Sequence, residues 1–178
     1  MTDHALLLQT LDSMLAELGA VVQALGARTY TQKASPQGQS SIGAHIRHSL
    51  DHFRILLDSV GQPGNAAVRY DRRERNTEIE SSSSAALRSI AQLRSQLQKL
   101  DATDLDVEIQ IEHMIHPDGS MQTFRSSLAR ELFFAGHHLI HHNAIIQSGS
   151  HLPMWPDGFG SAPATTEFRH SQEKAAST

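Results

Sequence analysis

The sequence predicts an all-α fold: a four-helix bundle with a small β-hairpin between the third and fourth helices and an extended C-terminal tail. Apolar residues recur at helical spacings of three and four in four long segments. One alternating, strand-like stretch follows the third segment. The 178 residues, 39% of them hydrophobic, suit one domain with one core. We place this domain at residues 1–168 and predict disorder over 169–178.

The first two predicted helices have clear ends. The first has an apolar face over residues 8–25 and stops at Gly26, a residue that favours helix ends. The second covers residues 42 to about 60 and ends before a turn rich in glycine. Its cap is Ser40 or Ser41, because a serine hydroxyl can accept a hydrogen bond from a free N–H of the first turn.

The third helix and the hairpin follow each other along the chain. Apolar residues at helical spacing cover residues 86–100, and the serines at 81–84 offer a choice of caps. Residues 107–111 then alternate between apolar and polar side chains, which is typical of a strand. The turn-forming residues 117–120 predict a hairpin with residues 121–124. An isolated hairpin is only marginally stable, so we expect it to pack against the bundle.

The fourth helix and the tail complete the predicted fold. The helix is predicted to begin at about Thr123 or Ser126 and to end at Gly149. Prolines and glycines recur in the residues that follow, which predicts an extended tail over the bundle. The aromatic side chains of Trp155 and Phe159 are the predicted anchors of this tail.

Composition excludes several classes of function. The net charge of −4 and the pI near 6.3 give no basic surface for nucleic acid. The absence of cysteine excludes disulfides, thiolate metal sites and a cysteine nucleophile. No basic stretch precedes the first apolar residues, and no continuous apolar run approaches the roughly 18 residues of a membrane span. We therefore expect a cytoplasmic protein that contacts neither nucleic acid nor membrane.

The histidines are the strongest functional signal. His138 and His142 stand four residues apart on the fourth helix and project on one face among apolar neighbours, within about 40° of each other at 100° per residue. His45, His48 and His52 line the margin of the apolar face of the second helix. One of these three would complete a three-histidine set, which leaves coordination positions open for water or substrate. Whether His45 or His52 joins the set stays open.

A structural alternative accompanies this hypothesis. The same histidines could form a hydrogen-bonded cluster that ties two helices together, a closed metal site that only stabilises, or a site that binds metal only during expression. Buried imidazoles without metal or hydrogen-bond partners would cost free energy.

Charged residues near the histidines have open roles. Glu131 is either an acceptor or general base of the site, or it forms a salt bridge to Arg47 or another arginine. Asp51 either orients an imidazole or lies on the helix surface, and His52 is a candidate hydrogen-bonding neighbour. Arg47, together with Arg73 and Arg75 of a highly charged segment, could bind a carboxylate or phosphate. That charged segment is either a solvated loop or a loop over the site.

Several motifs resemble one known family. The second helix begins Ser-Ile-Gly-x-His-x-Arg-His at Ser41–His48, and the fourth carries His-x-x-His-His at His138–His142. Tyr-Asp-x-Arg-x-Arg occurs at Tyr70–Arg75, Arg-Glu-Leu at Arg130–Leu132, and Phe-Gly-x-Ala-Pro-x-Thr at Phe159–Thr165. The chain resembles the DinB/YfiT-like superfamily of metal-binding four-helix bundles over about residues 5–168, and is most similar to an uncharacterised branch of it.

The resemblance implies a metal site and a choice of activities. It assigns ligand roles to His48, His138 and His142, and it implies a divalent metal, most often zinc or nickel and in one branch iron. It also implies thiol-dependent transferases or isomerases among the relatives, and frequent homodimers. A metal held by these histidines would acidify a bound water or thiol, so the candidate activities are those of a metal-dependent hydrolase or a thiol-dependent transferase acting on a small molecule. The alternative is a non-catalytic metal-binding or stress-associated protein. This chain has Asn143-Ala144-Ile145 where the superfamily often has Arg-Gly-Gln, so activities of relatives with that sequence are not carried over.

Overall fold

The four long helices predicted from the sequence are present, with one hairpin between the last two. The structure, a computed structural model, describes residues 3–35, 40–60, 67–71 and 77–176. Its α-helices are α1 (Asp3–Ala24), α2 (Gly26–Thr31), α3 (Ile42–Ser59), α4 (Ser83–Leu97), α5 (Leu128–Gly149) and α6 (Pro163–Ala176). Its strands are β1 (Glu108–Met114) and β2 (Met121–Ser127), and short 3₁₀ turns cover Glu78–Glu80 and Ala102–Asp106.

Serine side chains cap three of the long helices. The hydroxyls of Ser41, Ser82 and Ser127 accept hydrogen bonds from the third backbone N–H after each of them, at 3.1, 3.2 and 3.3 Å. Each cap satisfies a donor that the first turn of its helix leaves unpaired. The cap of α3 is therefore Ser41 rather than Ser40, and α5 begins two residues after the predicted Ser126.

The long helices pack side by side around one core. In the described residues, α3 contacts α4 and α5, and α1 contacts the same two helices. The side chains that fill the space between them are almost fully buried, and they include Leu15, Leu18, Ile46, Leu50, Leu132 and Leu139. Contacts between α3 and α5 place the two histidine-bearing helices next to each other.

The hairpin directly precedes the N-terminus of α5. β1 and β2 pair antiparallel, with Ile111 opposite Phe124. On its other edge, β1 bridges to Val68, whose N–H donates to Gln110 O at 2.7 Å. Ile111 and Val68 are buried in the core, so the predicted hairpin is present and packs against the helices as expected. The bridge also holds the segment that leads to Tyr70.

Helix α1 is the one described helix with the length and composition of a membrane span. Its segment His4–Ala24 is long and apolar enough to cross a membrane by length and composition, although it is not a continuous apolar run. The average hydropathy meets this test despite interspersed polar residues, and the expectation of no membrane contact stays a prediction. Of its most apolar window, 28% is buried in the structure. Core helices and signal sequences pass the same test, so it is weak support for a membrane location.

The tail departs from the prediction. Residues 163–176 form a helix, α6, instead of an extended segment. Pro163 is its first residue, where the fixed φ of proline suits a helix start, and the residues after it include neither proline nor glycine. The helix runs past residue 168, and the domain boundary placed there stays a prediction. The expected anchor is present, since Trp155 stacks on the buried Phe159 with ring centroids 5.3 Å apart.

Candidate metal centre

Three histidines from two helices meet at one point. One ligand atom from each of His48, His138 and His142 lies within 4.8 Å of the other two. Nε2 of His48 and Nε2 of His138 are 3.0 Å apart. The ring centroids of the three side chains are 4.6 to 4.8 Å from one another. The structure thus brings together the histidines that the motifs single out.

The phase of α5 explains which histidines face inward. His138 and His142 are one helical turn apart, so they stand on the same face. His142 is only 7% exposed, whereas His137 and His141 are exposed. The burial of His142 and the partial burial of His138 agree with the face predicted for them from helical spacing.

The distances fit a divalent metal ion. Two imidazole nitrogens bound to one tetrahedral zinc ion, with bonds of about 2.0–2.1 Å, lie about 3.3 Å apart. The His48–His138 separation of 3.0 Å is close to this value. The limit of 4.8 Å for the whole set means that the third ring needs a shift of the order of 1 Å to complete the shell.

Burial keeps the imidazole of His142 neutral. Loss of hydration, followed by repulsion from the neighbouring His138, His45, His141 and His52, lowers the pKa of His142 to about 3. A neutral imidazole retains the lone pair that a metal ligand needs, and it requires no proton release near neutral pH. The chemistry of the donors therefore fits a metal as well as their spacing does.

His45 contacts the centre through His142. Nδ1 of His45 lies 3.0 Å from Nδ1 of His142, so one of these nitrogens carries the proton and the other accepts it. Burial lowers the pKa of His45, followed by repulsion from His141, which favours neutral rings on both sides of this hydrogen bond. If His142 is the donor, its other nitrogen, Nε2, is left for a metal. His45 thus occupies the position of a residue that fixes the tautomer of a ligand.

His52 lies beside His48 and His138. Its Nδ1 lies 2.9 Å from the backbone oxygen of His48, and a carbonyl only accepts, so Nδ1–H is the donor. Its ring lies 4.0 Å from the ring of His138 and stacks on Tyr70 at 5.1 Å. This agrees with the expectation of a hydrogen-bonding neighbour.

Glu131 is buried near the histidine cluster, and its carboxylate accepts hydrogen bonds from three side chains. It is 1% exposed. Its Oε2 accepts from the Tyr70 hydroxyl at 2.9 Å, and its Oε1 accepts from the Ser126 hydroxyl at 2.6 Å and from Arg130 Nη1 at 2.5 Å. The arginine partner is Arg130 rather than Arg47. Burial and the adjacent Glu131 charge raise the pKa of Tyr70, so its hydroxyl stays protonated and donates.

The other predicted charged residues have different surroundings. Arg47 donates to Asp51 at 2.9 Å and to Glu80 at 3.1 Å, and all three anchor α3 to the turn before α4. Asp51 also accepts from Arg54 at 3.3 Å, so its hydrogen bonds go to arginines and not to an imidazole. Asp51 is buried, in contrast to the alternative of a surface charge.

Arg73 and Arg75 of the charged segment lie outside the described residues. Their predicted role in binding an anion therefore stays a prediction. Tyr70, at the start of this segment, belongs to the centre although no role was derived for it from the sequence. Arg130, which bonds Glu131, also had no role derived from the sequence. Both occur in the family-like motifs, which was the available signal.

A comparison of the sequence with known families agrees with the site. A profile of the DinB superfamily matches residues 5–146. The chain belongs to the DinB superfamily. Proteins of this superfamily often bind metals, and the three-histidine cluster is present here.

Among curated proteins, one similar relative is "FK506-binding protein 5" of Rhizopus delemar. It is 30% identical over 131 residues, which are 68% of this chain and 33% of that protein. The chain thus spans about a third of the length of the curated relative. No solved structure matches the chain.

Proposed function

We propose that this DinB-superfamily protein is a metal-dependent enzyme whose divalent ion is held by His48, His138 and His142. Zinc and nickel are the first candidates and iron is a further one, since three imidazoles accept each of these ions. The 3.0 Å contact between Nε2 of His48 and Nε2 of His138 carries the proposal. We place the site in a four-helix bundle of DinB/YfiT type, which the contacts of α1 and α3 with both α4 and α5 support.

The reaction class follows from the donor set. A divalent ion held by three imidazoles would acidify a bound water molecule or thiol. The ion would thereby supply a nucleophile to a chain that has no cysteine of its own. The proposed reaction is hydrolysis of a small molecule, or transfer with a low-molecular-weight thiol as co-substrate. Glu131 is the candidate catalytic carboxylate. Its three hydrogen bonds favour a role as acceptor that positions Tyr70 over a role as general base.

A non-catalytic metal-binding function is the second candidate. The rings of His45 and His52 lie close to the three proposed ligands, at 5.1 Å from His142 and 4.0 Å from His138. If either joined the ion, the shell would close and no position would remain for a substrate. Three protein ligands favour the enzyme, and four or more favour the non-catalytic module.

Partners and location belong to the same proposal. We expect a small-molecule substrate, a cytoplasmic location and a homodimer, and neither nucleic acid nor membrane as a partner. The acidic net charge of −4 supports the exclusion of nucleic acid.

Metal content of histidine variants tests the proposed ligands. His138→Ala or His142→Ala is expected to reduce bound metal from about one ion per chain to near zero, measured by mass spectrometry on protein purified without a histidine tag. His137→Ala is the matched control, since His137 is an exposed histidine of the same helix. Loss of metal in the His137 variant alone, or full retention in the other two, would contradict the assignment.

A further inference from the structure

His52 is a buried histidine that contacts the candidate metal centre from outside its convergent set. Its ring lies 4.0 Å from the ring of His138 and 4.8 Å from the ring of His48. Among the residues that the structure describes, the ligand atoms that meet within 4.8 Å of one another belong to His48, His138 and His142. An imidazole this close to three ligands is a candidate fourth ligand, and a fourth ligand would fill the shell of a tetrahedral ion.

Two contacts hold the ring of His52 in its present orientation. Its Nδ1–H donates to the backbone oxygen of His48 at 2.9 Å. One of its faces stacks on the ring of Tyr70, with centroids 5.1 Å apart and planes only 18° from parallel. The hydrogen bond fixes the rotation of the ring and the stacking fixes its tilt. Turning Nε2 of His52 towards another atom therefore costs one or both contacts.

Tyr70 is itself fixed at both ends, so it can support a neighbouring ring. Its hydroxyl donates to Glu131 Oε2 at 2.9 Å, and Glu131 is fully buried. Two residues earlier in the chain, Val68 is bonded to β1 through both of its backbone groups: its N–H donates to Gln110 O at 2.7 Å, and its oxygen accepts from Glu112 N–H at 2.9 Å. The side chain of Tyr70 thus forms a rigid wall beside His52.

We propose that Tyr70 is a positioning residue that keeps His52 out of the coordination shell of the ion. One position of the ion then stays open for water or a substrate. This inference rests on the proposed function, because it takes His48, His138 and His142 as the metal ligands. It also says what decides between the two functions proposed above: with the Tyr70 ring in place the centre has three protein ligands, and without that ring His52 becomes the fourth.

Azide binding to the cobalt-loaded full chain tests this inference, because azide enters an open coordination position and changes the visible absorption of cobalt. The parent protein is expected to bind one cobalt ion and to respond saturably to azide. Tyr70→Leu keeps apolar bulk but lacks the flat ring. Its azide affinity is expected to fall roughly tenfold or more, since azide must then displace the imidazole of His52. Tyr70→Met is the second variant of this kind, to be used if Tyr70→Leu does not fold.

Three further variants separate positioning from a general loss of structure. Tyr70→Leu combined with His52→Ala is expected to recover an azide affinity within about threefold of the parent value, because the competing imidazole is gone. Tyr70→Phe keeps the stacked ring and should respond as the parent protein does. Tyr30→Leu is the matched control, since Tyr30 is the other tyrosine of the chain and is also buried. It should leave azide binding unchanged.

The possible failures are distinguishable. Parent-like azide affinity in Tyr70→Leu, or no recovery in the double variant, would overturn this inference and leave the metal ligands as assigned. A parent protein that binds no cobalt through its three convergent histidines would overturn the proposed function, and this inference with it. Cobalt content, measured before azide is added, tells these two results apart.

Discussion

At the scale of single residues, the centre depends on how each imidazole is held. His142 is buried, and the ring nitrogen that faces His45 is 3.0 Å from its partner. A ligand whose other nitrogen is hydrogen-bonded keeps one tautomer and one ring orientation. The sequence predicted the inward phase of His138 and His142, because that phase follows from helical spacing alone. It left His45 undecided, because its contact to His142 spans 97 positions.

The first prediction concerns His45. His45→Ala is expected to lower the affinity for zinc about 10–100-fold, since His142 loses the partner that fixes its tautomer. Affinity is measured by competition with a chromophoric chelator. His137→Ala serves as the control and should bind as the parent protein does. Equal affinity of the His45 variant and the parent protein would refute this role.

The second prediction concerns acid stability of the metal-free protein. The pKa of His142 is about 3 when folded and about 6.5 when unfolded, so the unfolded chain takes up a proton first as the pH falls. The neutral ring of His142 therefore makes its full contribution to the free energy of unfolding above about pH 6.5. That contribution is lost as the pH falls from about 6.5 to about 3, by up to about 1.4 kcal/mol per pH unit. Urea unfolding at pH 7.5 and pH 5 measures it. The free energy of unfolding of His142→Gln should depend less on pH than that of the parent protein. An equal change between the two pH values in both proteins would count against the buried neutral ring.

At the scale of elements, close contacts fix how the helices meet. A Cβ added at Gly43 would lie 2.2 Å from the backbone oxygen of Glu80 and 2.5 Å from Tyr30 Cε1. The start of α3, which carries His45 and His48, therefore sits directly against the turn before α4. At Gly19 in α1 an added Cβ would lie 3.7 Å from Ile90, an ordinary contact.

The third prediction compares these two glycines. Gly43→Ala is expected to lower the free energy of unfolding by about 1–3 kcal/mol, because the backbone of Glu80 cannot move aside easily. Gly19→Ala is expected to raise it by about 0.5–1 kcal/mol, since alanine favours a helix interior. Urea denaturation of both variants measures the difference. Stabilisation by the Gly43 substitution would contradict the close packing of α3.

The limits of sequence-based prediction are also visible in the elements. Periodicity and serine caps predicted α1, α3, α4 and α5, and alternation predicted the hairpin. Proline and glycine at the start of the tail suggested an extended chain, while the residues from Pro163 onward form a helix without strong apolar spacing. Helix α2 was missed because six residues are too few to show a period.

At the scale of the whole molecule, the site is assembled from distant parts of the chain. Tyr70 reaches Glu131 across 61 positions, and this contact depends on the bridge of Val68 to β1. Such a contact has no signature in local spacing, which is why the role of Tyr70 could not be derived from the sequence. The ligand set could be proposed because a family motif marks its members.

The fourth prediction concerns global stability. Metal that binds only the folded chain stabilises it by mass action, by about 2.7 kcal/mol when free zinc is 100 times the dissociation constant. Thermal unfolding should therefore move to higher temperature as zinc is added. His138→Ala should abolish the shift and His137→Ala should keep it. An equal shift in the His138 variant would place the stabilising ion elsewhere.

A crystal structure of the metal-loaded protein, with anomalous scattering recorded at the zinc, nickel and iron edges, tests the central claim most directly. The expected result is one anomalous peak with Nε2 of His48, Nε2 of His138 and a ring nitrogen of His142 at about 2.0–2.2 Å and no fourth protein ligand. A peak bound by other residues, or three empty imidazoles in a protein that holds its metal elsewhere, would contradict it.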